Sequence, residues 1–261
     1  MSIVIAAVSV TVIGVVCAVV LAVASKFMAV KVDERVAQLA EIMPGVNCGA
    51  CGYAGCDAYA DALVNAGAPT NACAPGGNSL SASISGILGV EAEKSVVMYP
   101  VLYCSGDSTA RQQRMDYGGI NTCTAAKQLF GGQFACTFGC LGFGDCLAAC
   151  SVNALCLDSG LPRVDKSLCI GCKLCQKACP NNILRMEEDA PVAVVGCSNI
   201  EKGAIVRKKC TAGCIACTKC VKTCPEQAIS MVNNLAVIDL AKCTGCGECV
   251  GVCITKCIRL V

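Results

Sequence analysis

Eight cysteines in the second half of the chain fall on eight others when 74 is added to their residue numbers. Cys136, Cys140, Cys146 and Cys150 go to Cys210, Cys214, Cys220 and Cys224, and Cys169, Cys172, Cys175 and Cys179 go to Cys243, Cys246, Cys249 and Cys253. Cys123 lands on Cys197 and Asp165 on Asp239. Self-similarity at one fixed offset means two copies of one module in tandem. Whatever the module folds into, it must gather thiols in fours, more than once.

The rest of the composition agrees. The 261 residues include 27 cysteines and no histidine or tryptophan, a loading that reads as a disulfide scaffold or a metal protein. Without histidine there is no mixed His–Cys zinc site, no Ser–His or Cys–His dyad and no imidazole base, which removes most hydrolase chemistry. Aromatics are 4% of the chain, so one large core is disfavoured and small units stapled by metal or sulfur are expected. A net charge of +2 gives no electrostatic reason to expect a nucleic-acid partner.

The second copy is the more regular. CIACTKCVKTCP, residues 214 to 225, and CTGCGECVGVC, residues 243 to 253, have the spacing of bacterial ferredoxins, in which three cysteines of a run hold one 4Fe-4S cluster and the fourth reaches the neighbouring one. This predicts one site from Cys214, Cys217, Cys220 and Cys253, and another from Cys243, Cys246, Cys249 and Cys224. In the first copy CIGCKLCQKACP, residues 169 to 180, is intact, but CTFGCLGFGDCLAAC, residues 136 to 150, has Phe143 where the second copy has Cys217. The nearest replacement is Cys136, with Cys123 as the fallback. The expected sites are therefore Cys136, Cys140, Cys146 and Cys179, and Cys169, Cys172, Cys175 and Cys150. Zinc also accepts four thiolates, yet zinc ribbons use separated CxxC pairs, and four thiols in so short a run before proline favour clusters. Either metal would stabilise a module too small for its apolar core alone.

Nearer the N-terminus, NCGACGYAGCDAYADAL, residues 47 to 63, carries Cys48, Cys51 and Cys56, and Cys73 follows. The glycines let the backbone curl tightly around a centre, but the spacing alone leaves zinc and iron–sulfur both open. Helical patterning over residues 57 to 64 and 79 to 88 predicts a small helical unit. Before it, Val32, Val36, Leu39 and Met43 recur at helical spacing and should stop at Pro44-Gly45, giving a packing helix between membrane and cysteine modules.

Residues 3 to 24, IVIAAVSVTVIGVVCAVVLAVA, are uncharged throughout. As a helix they reach roughly 33 Å, enough to cross a hydrocarbon core of about 30 Å. A cleaved secretory signal is the rival reading, but no Lys or Arg precedes the run, whereas Lys26, Lys31 and Arg35 follow it. That flank places the N-terminus outside and the cysteines in the cytoplasm, where thiols stay reduced.

An N-terminal apolar helix, CGACGYAGC with its distal cysteine, and CLGFGDC leading into paired ferredoxin runs together resemble the family of Rnf complex B subunits, over essentially the whole chain. In that family the complex couples electron transfer between reduced ferredoxin and NAD to movement of Na+ or H+ across the membrane. The resemblance implies that Cys48, Cys51, Cys56 and Cys73 hold a 4Fe-4S cluster, making five in all, and that the chain is the cytoplasmic entry point for electrons from ferredoxin. Five clusters at about −2 each, counting their thiolates, would turn the net charge from +2 to about −8.

The expected fold is α+β: a transmembrane helix at 1–26, a juxtamembrane helix at 27–46, a 4Fe-4S domain at 47–90, a connecting segment at 91–125, and two-cluster ferredoxin modules at 126–190 and 191–261. Expected partners are the other subunits of the membrane complex, soluble ferredoxin as donor, and lipid around residues 3–24, at a prokaryotic cell membrane. No GxGxxG after a strand and no phosphate-binding loop is present, so NAD or flavin chemistry is expected on another subunit. A related membrane reductase supplying a redox sensor or nitrogenase, and a non-redox metal-binding structural protein, are the rivals.

Seven cysteines fall outside the five expected sites. Packing is expected for Cys17, Cys156 and Cys257. Cys123 and Cys136 repeat at the spacing of Cys197 and Cys210; free structural thiols are expected there, with a further metal site as the alternative, and Cys104 is given no role. Lys202, Arg207, Lys208 and Lys209 form a basic stretch, either a solvated face or a dock for an acidic ferredoxin.

Overall fold

The computed structural model describes residues 2–27, 33–96, 98–188 and 192–261. Lys31 and Val32, used above for topology and helix phase, lie outside the described residues. The apolar run is helical, α1 (Ser2–Phe27), and its side chains are described from Thr11 to Ser25, nearly all of them exposed. Among the described residues no helix is long and apolar enough to cross a membrane.

Helix α2 (Glu34–Ile42) opens on Asp33, whose carboxylate accepts the Arg35 N–H at 2.9 Å, an N-cap of the usual kind. It ends before Pro44, which cannot continue it. Its apolar stripe, Val36, Leu39 and Met43, packs on Tyr59, Leu63, Leu80 and Ile84 from α3 (Cys56–Asn65) and α4 (Gly77–Leu88). Tyr59 is the largest side chain of this core, and its hydroxyl donates to the Pro69 carbonyl at 2.6 Å. α4 stops at Gly89, which adopts the left-handed conformation (φ 69°) that a helix C-cap favours and that costs glycine least. These three helices make one small unit around Cys73.

The two cysteine-rich copies share one topology. In the first, β1 (Met98–Leu102) is followed by α5 (Cys123–Gln128), α6 (Asp145–Ala148), the hairpin β2 (Leu155–Asp158) and β3 (Leu161–Val164), α7 (Leu174–Ala178), and β4 (Leu184–Glu188). β1 pairs antiparallel with β4, so the copy's first strand closes on its last. In the second, β5 (Ala193–Val195) leads through α8 (Gly203–Lys209) and α9 (Lys219–Thr223) to the hairpin β6 (Ile229–Val232) and β7 (Leu235–Ile238), then α10 (Glu248–Gly251) and β8 (Ile258–Leu260). Again the first strand pairs with the last, β5 with β8. The β6–β7 hairpin turns on Asn233 and Asn234, both at positive φ (48° and 63°), the conformation a two-residue hairpin requires and asparagine tolerates.

β2, β3 and β4 lie 74 residues before β6, β7 and β8, but β1 lies 95 before β5. The opening strand of the first copy is therefore residues 98–102, within the stretch expected to be a connecting segment. Residues between β1 and α5 form a long excursion with no counterpart in the second copy. The cores are themselves lined with sulfur: Cys140, Cys146 and Cys175 pack with Ile183 and Leu184 in one, Cys214, Cys220 and Cys249 with Ile229 and Ile258 in the other.

Candidate metal centres

Five pockets are lined by cysteines, four of the pockets by four each and the Cys214 pocket by five, Cys257 among them. In the N-terminal unit Cys48, Cys51, Cys56 and Cys73 surround about 330 Å³ of space, open mouth included. The Asn47 side chain accepts the Cys56 N–H at 2.7 Å and so fixes the start of α3 against the cysteine loop. Cys150, Cys169, Cys172 and Cys175 line a second pocket of about 330 Å³. In the second copy Cys214, Cys217, Cys220 and Cys253 line one of about 360 Å³, and Cys224, Cys243, Cys246 and Cys249 one of about 330 Å³. The exchange of the fourth thiol between runs is visible in the last three: Cys150, Cys253 and Cys224 each stand in the pocket of the other run.

The remaining pocket, about 390 Å³, is lined by Cys140, Cys146, Cys179 and Cys123. Cys136, expected here, is not among its lining residues, and the fallback Cys123 takes the place left by Phe143. The cause is local. α5 begins at Cys123, and the Asp145 carboxylate accepts the N–H groups of Cys123 (2.7 Å) and Thr124 (3.0 Å) and the Thr124 hydroxyl (2.9 Å). Burial works against the charge on Asp145, but these donors outweigh it and hold its carboxyl below the usual range. Asp145 is thus a clamp that brings the start of α5 over Cys146, its own chain neighbour. At the equivalent position the second copy has Lys219, which cannot accept these bonds. That contrast, together with Phe143 against Cys217, is the sequence signal by which Cys123 could have been found.

Local backbone geometry suits a sulfur-rich centre. The amide two residues on donates to the thiol at Cys140 (from Gly142), Cys169 (from Gly171) and Cys214 (from Ala216). Such N–H···S bonds stabilise charge on the sulfurs and tune potential. Burial pushes Cys140 and Cys175 up to about 12 and Cys146 and Cys220 up to about 11, so these thiols are neutral unless a cation is present to hold them as thiolates. Cys257, expected to be a packing residue, is buried in the lining of the Cys214 pocket; its S–H donates to Cys214 and draws that thiol below its ordinary value. Cys156, expected to be packed, is exposed.

Around one zinc ion, with Zn–S near 2.3 Å, four sulfurs would lie within about 4 Å of each other. Among the described residues no group of three or more cysteine or carboxylate side chains converges tightly enough for a single ion. The four-thiol pockets, open mouths included, are each about 330 to 390 Å³.

Comparison with known proteins agrees. Residues 43–75 match the family model described as "Putative Fe-S cluster", residues 162–185 a 4Fe-4S binding domain, and residues 213–257 a 4Fe-4S dicluster domain. The chain is 42% identical over 239 residues to the B subunit of the Na(+)-translocating ferredoxin:NAD(+) oxidoreductase complex of Acetobacterium woodii, covering 91% of this chain and 72% of that one. It is 40% identical to the B subunit of the ion-translocating oxidoreductase complex of Methanosarcina acetivorans, over 93% of this chain and 92% of that one. A Clostridium ljungdahlii relative, the B subunit of a proton-translocating ferredoxin:NAD(+) oxidoreductase complex, is 38% identical over 95% of this chain and 87% of its own. The chain belongs to the family of Rnf complex B subunits. Within this family member the dicluster match falls on the regular second copy, while in the first copy the match is confined to the intact run; the run broken at Phe143 lies outside it.

Basic side chains outside the pockets divide into two kinds. Lys209 is engaged, donating to both oxygens of Glu201 at 2.6 and 2.8 Å. Lys202, Arg207 and Lys208 are exposed on and beside α8. Lys177, between Cys175 and Cys179, reaches the N-terminal unit, donating to the carbonyls of Cys48 and Gly49 at 3.2 and 3.1 Å.

Proposed function

We propose that this chain is the electron-transfer subunit of an ion-translocating ferredoxin:NAD oxidoreductase complex, holding five 4Fe-4S clusters in the five four-thiol pockets. The observation that carries this reading is the exchange of thiols between runs, which ties each pair of pockets into a two-centre unit. When bound, each cluster takes up and gives up one electron between its 2+ and 1+ states. The protein's part is to set spacing, burial and hydrogen bonding. Cys179 and Cys150 lock the two pockets of the first copy together, as Cys253 and Cys224 do in the second. Lys177 ties the Cys48–Cys73 unit to the first copy, and the added carbon of any side chain at Gly171 would lie 2.9 Å from the Met98 carbonyl and 3.9 Å from Ala74. That close approach keeps the Cys169 loop and the Cys73 segment in contact, so the N-terminal pocket neighbours the Cys169 pocket.

Residues 3–24, a 22-residue uncharged run with helical backbone, serve on this reading as a single-pass anchor surrounded by lipid, the N-terminus outside and the cysteine modules cytoplasmic. Exposed Lys202, Arg207 and Lys208 supply a face for an acidic ferredoxin donor, and other subunits of the complex receive the electrons and carry NAD chemistry. The test uses the full chain, purified anaerobically in detergent and mixed with reduced ferredoxin. Rapid bleaching of its visible absorption is expected; an iron-loaded chain that ferredoxin leaves oxidised would overturn the assignment.

A further inference from the structure

Four thiols outside the five pockets also meet. Cys104, Cys136, Cys197 and Cys210 are all buried, at 7%, 8%, 9% and 8% exposure. A carbon added at Gly139 would lie 3.3 Å from Cys104 Sγ and 3.7 Å from Cys136 Sγ, and one at Gly106 would lie 3.0 Å from Cys210 Sγ. Cys136 is close enough to act electrostatically on each of the other three thiols.

The group has the symmetry of the repeat. Cys136 and Cys210 are 74 residues apart, whereas Cys104 and Cys197 each stand two residues past the opening strand of their copy, β1 or β5. The two strand ends are joined directly: Ser105 N–H donates to the Gly196 carbonyl at 2.7 Å, and the Ser198 hydroxyl to the Tyr103 carbonyl at 3.0 Å. Each copy therefore contributes one pair of thiols at the seam where the copies meet. Cys197 is free to do so because Cys217 occupies the place that Cys123 must fill in the first copy.

The sulfurs are dressed like those in the five pockets. Cys104 accepts the N–H of Gly106, Cys197 that of Asn199 and Cys210 that of Ala212, the same two-residue pattern as at Cys140, Cys169 and Cys214. Cys104 also accepts the Cys140 N–H at 3.4 Å, and Cys197 accepts the N–H of Cys214, the repeat equivalent of Cys140. The Asn199 side chain donates to Cys136 Sγ at 3.5 Å.

Two arginines face the group without a carboxylate in salt-bridge range among the described residues. Arg111, 7% exposed, spends its donors on the carbonyls of Asp107, Cys140 and Gly160. Arg259 donates to the Ser105 hydroxyl at 3.0 Å and to the Leu102 carbonyl, and is drawn electrostatically to Cys104. Asp107 lies within electrostatic reach of Arg111, but no carboxylate is paired with either guanidinium at salt-bridge distance among the described residues, and buried guanidinium charge left unpaired is costly. Four thiolates around a 2+ cube carry about −2, which two arginines match.

We propose that Cys104, Cys136, Cys197 and Cys210 hold a sixth 4Fe-4S cluster, an electron bridge across the seam between the two ferredoxin copies. It rests on reading the five other pockets as cluster sites. Assembly forms four Fe–S(Cys) bonds and releases four thiol protons to solvent; in transfer one electron enters from one neighbour and leaves to the other. The Cys140 and Cys214 amides link it to one pocket of each copy, so it stands between the Cys140 pocket and the Cys214 pocket.

The test counts iron and acid-labile sulfide in the anaerobically purified full chain and in a Cys136→Ala/Cys210→Ala double variant. The wild type should carry about 24 of each and the variant about 20, and ferredoxin should bleach the variant in two phases, the sites beyond the broken bridge slowly. A wild type with about 20 irons, with or without zinc, overturns the sixth site and leaves the proposed function standing; a chain without iron overturns both. Should the double variant fail to fold, the wild-type count still decides, and so does the single variant Cys136→Ser, which is expected to lose four irons.

Discussion

Replacing Asp145 with asparagine should loosen one pocket and leave the rest intact. The carboxylate holds Cys123 in place through its backbone N–H at 2.7 Å and holds Thr124 through an N–H and a hydroxyl at 3.0 and 2.9 Å. The introduced asparagine would be isosteric but uncharged, and with its one oxygen turned to Cys123 its amino group would face the Thr124 N–H, donor against donor. Bonds to a charged acceptor contribute about 1.5–3 kcal/mol each; with Asp145 only half-buried, a loss of about 2–3 kcal/mol is expected. At about 1.4 kcal/mol per factor of ten, the Cys123 corner is held roughly 30- to 150-fold less tightly. The assay is an anaerobic chelator challenge of Asp145→Asn followed by absorbance and EPR, with Lys219→Asn at the equivalent position as control. Four irons per chain should leave early in the first variant and none early in the control. Uniform loss from all sites, or no change in Asp145→Asn, would refute the clamp.

Other consequences can be measured on the same protein. Cys179→Ala should remove the cluster of the Cys140 pocket, although Cys179 belongs to the other run, and Cys253→Ala should do the same to the Cys214 pocket; EPR of each variant identifies which signal goes. Arg207→Glu/Lys208→Glu should slow reduction by ferredoxin about 3- to 10-fold at low salt and less at high salt, with Lys209 excluded because Glu201 neutralises it; an unchanged rate and salt dependence would move the dock elsewhere. Because burial raises Cys140, Cys175, Cys146 and Cys220 to about 11 or 12, protons compete with iron for these thiols, and cluster retention should fall as pH is lowered. For the metal-free chain the sign reverses: raised thiols favour the folded state fully below about pH 9, and denaturant midpoints should drop as pH rises through 11 to 12.

Which thiols share a pocket was largely legible because that grouping is written in spacing. The runs at 169 to 180, 214 to 225 and 243 to 253 specify their pockets down to the exchanged thiol. The sequence distance that made Cys136 the nearest substitute for the missing ligand was misleading, since a helix start pinned by Asp145 brings a cysteine 17 residues before Cys140 closer than one four residues before it. β1 escaped the repeat because the excursion after it shifts the offset from 74 to 95, and Cys104 stands in no run at all. Its role depends on two strand ends meeting, a tertiary event that leaves no local pattern.

Iron-edge anomalous scattering from crystals of the intact, anaerobically prepared chain tests most directly that this is a multi-cluster electron carrier. Compact four-iron peaks should appear inside the rings of Cys48, Cys123, Cys150, Cys214 and Cys224 with their partners. Single-atom peaks at those rings, or sulfurs joined as cystines, would contradict it.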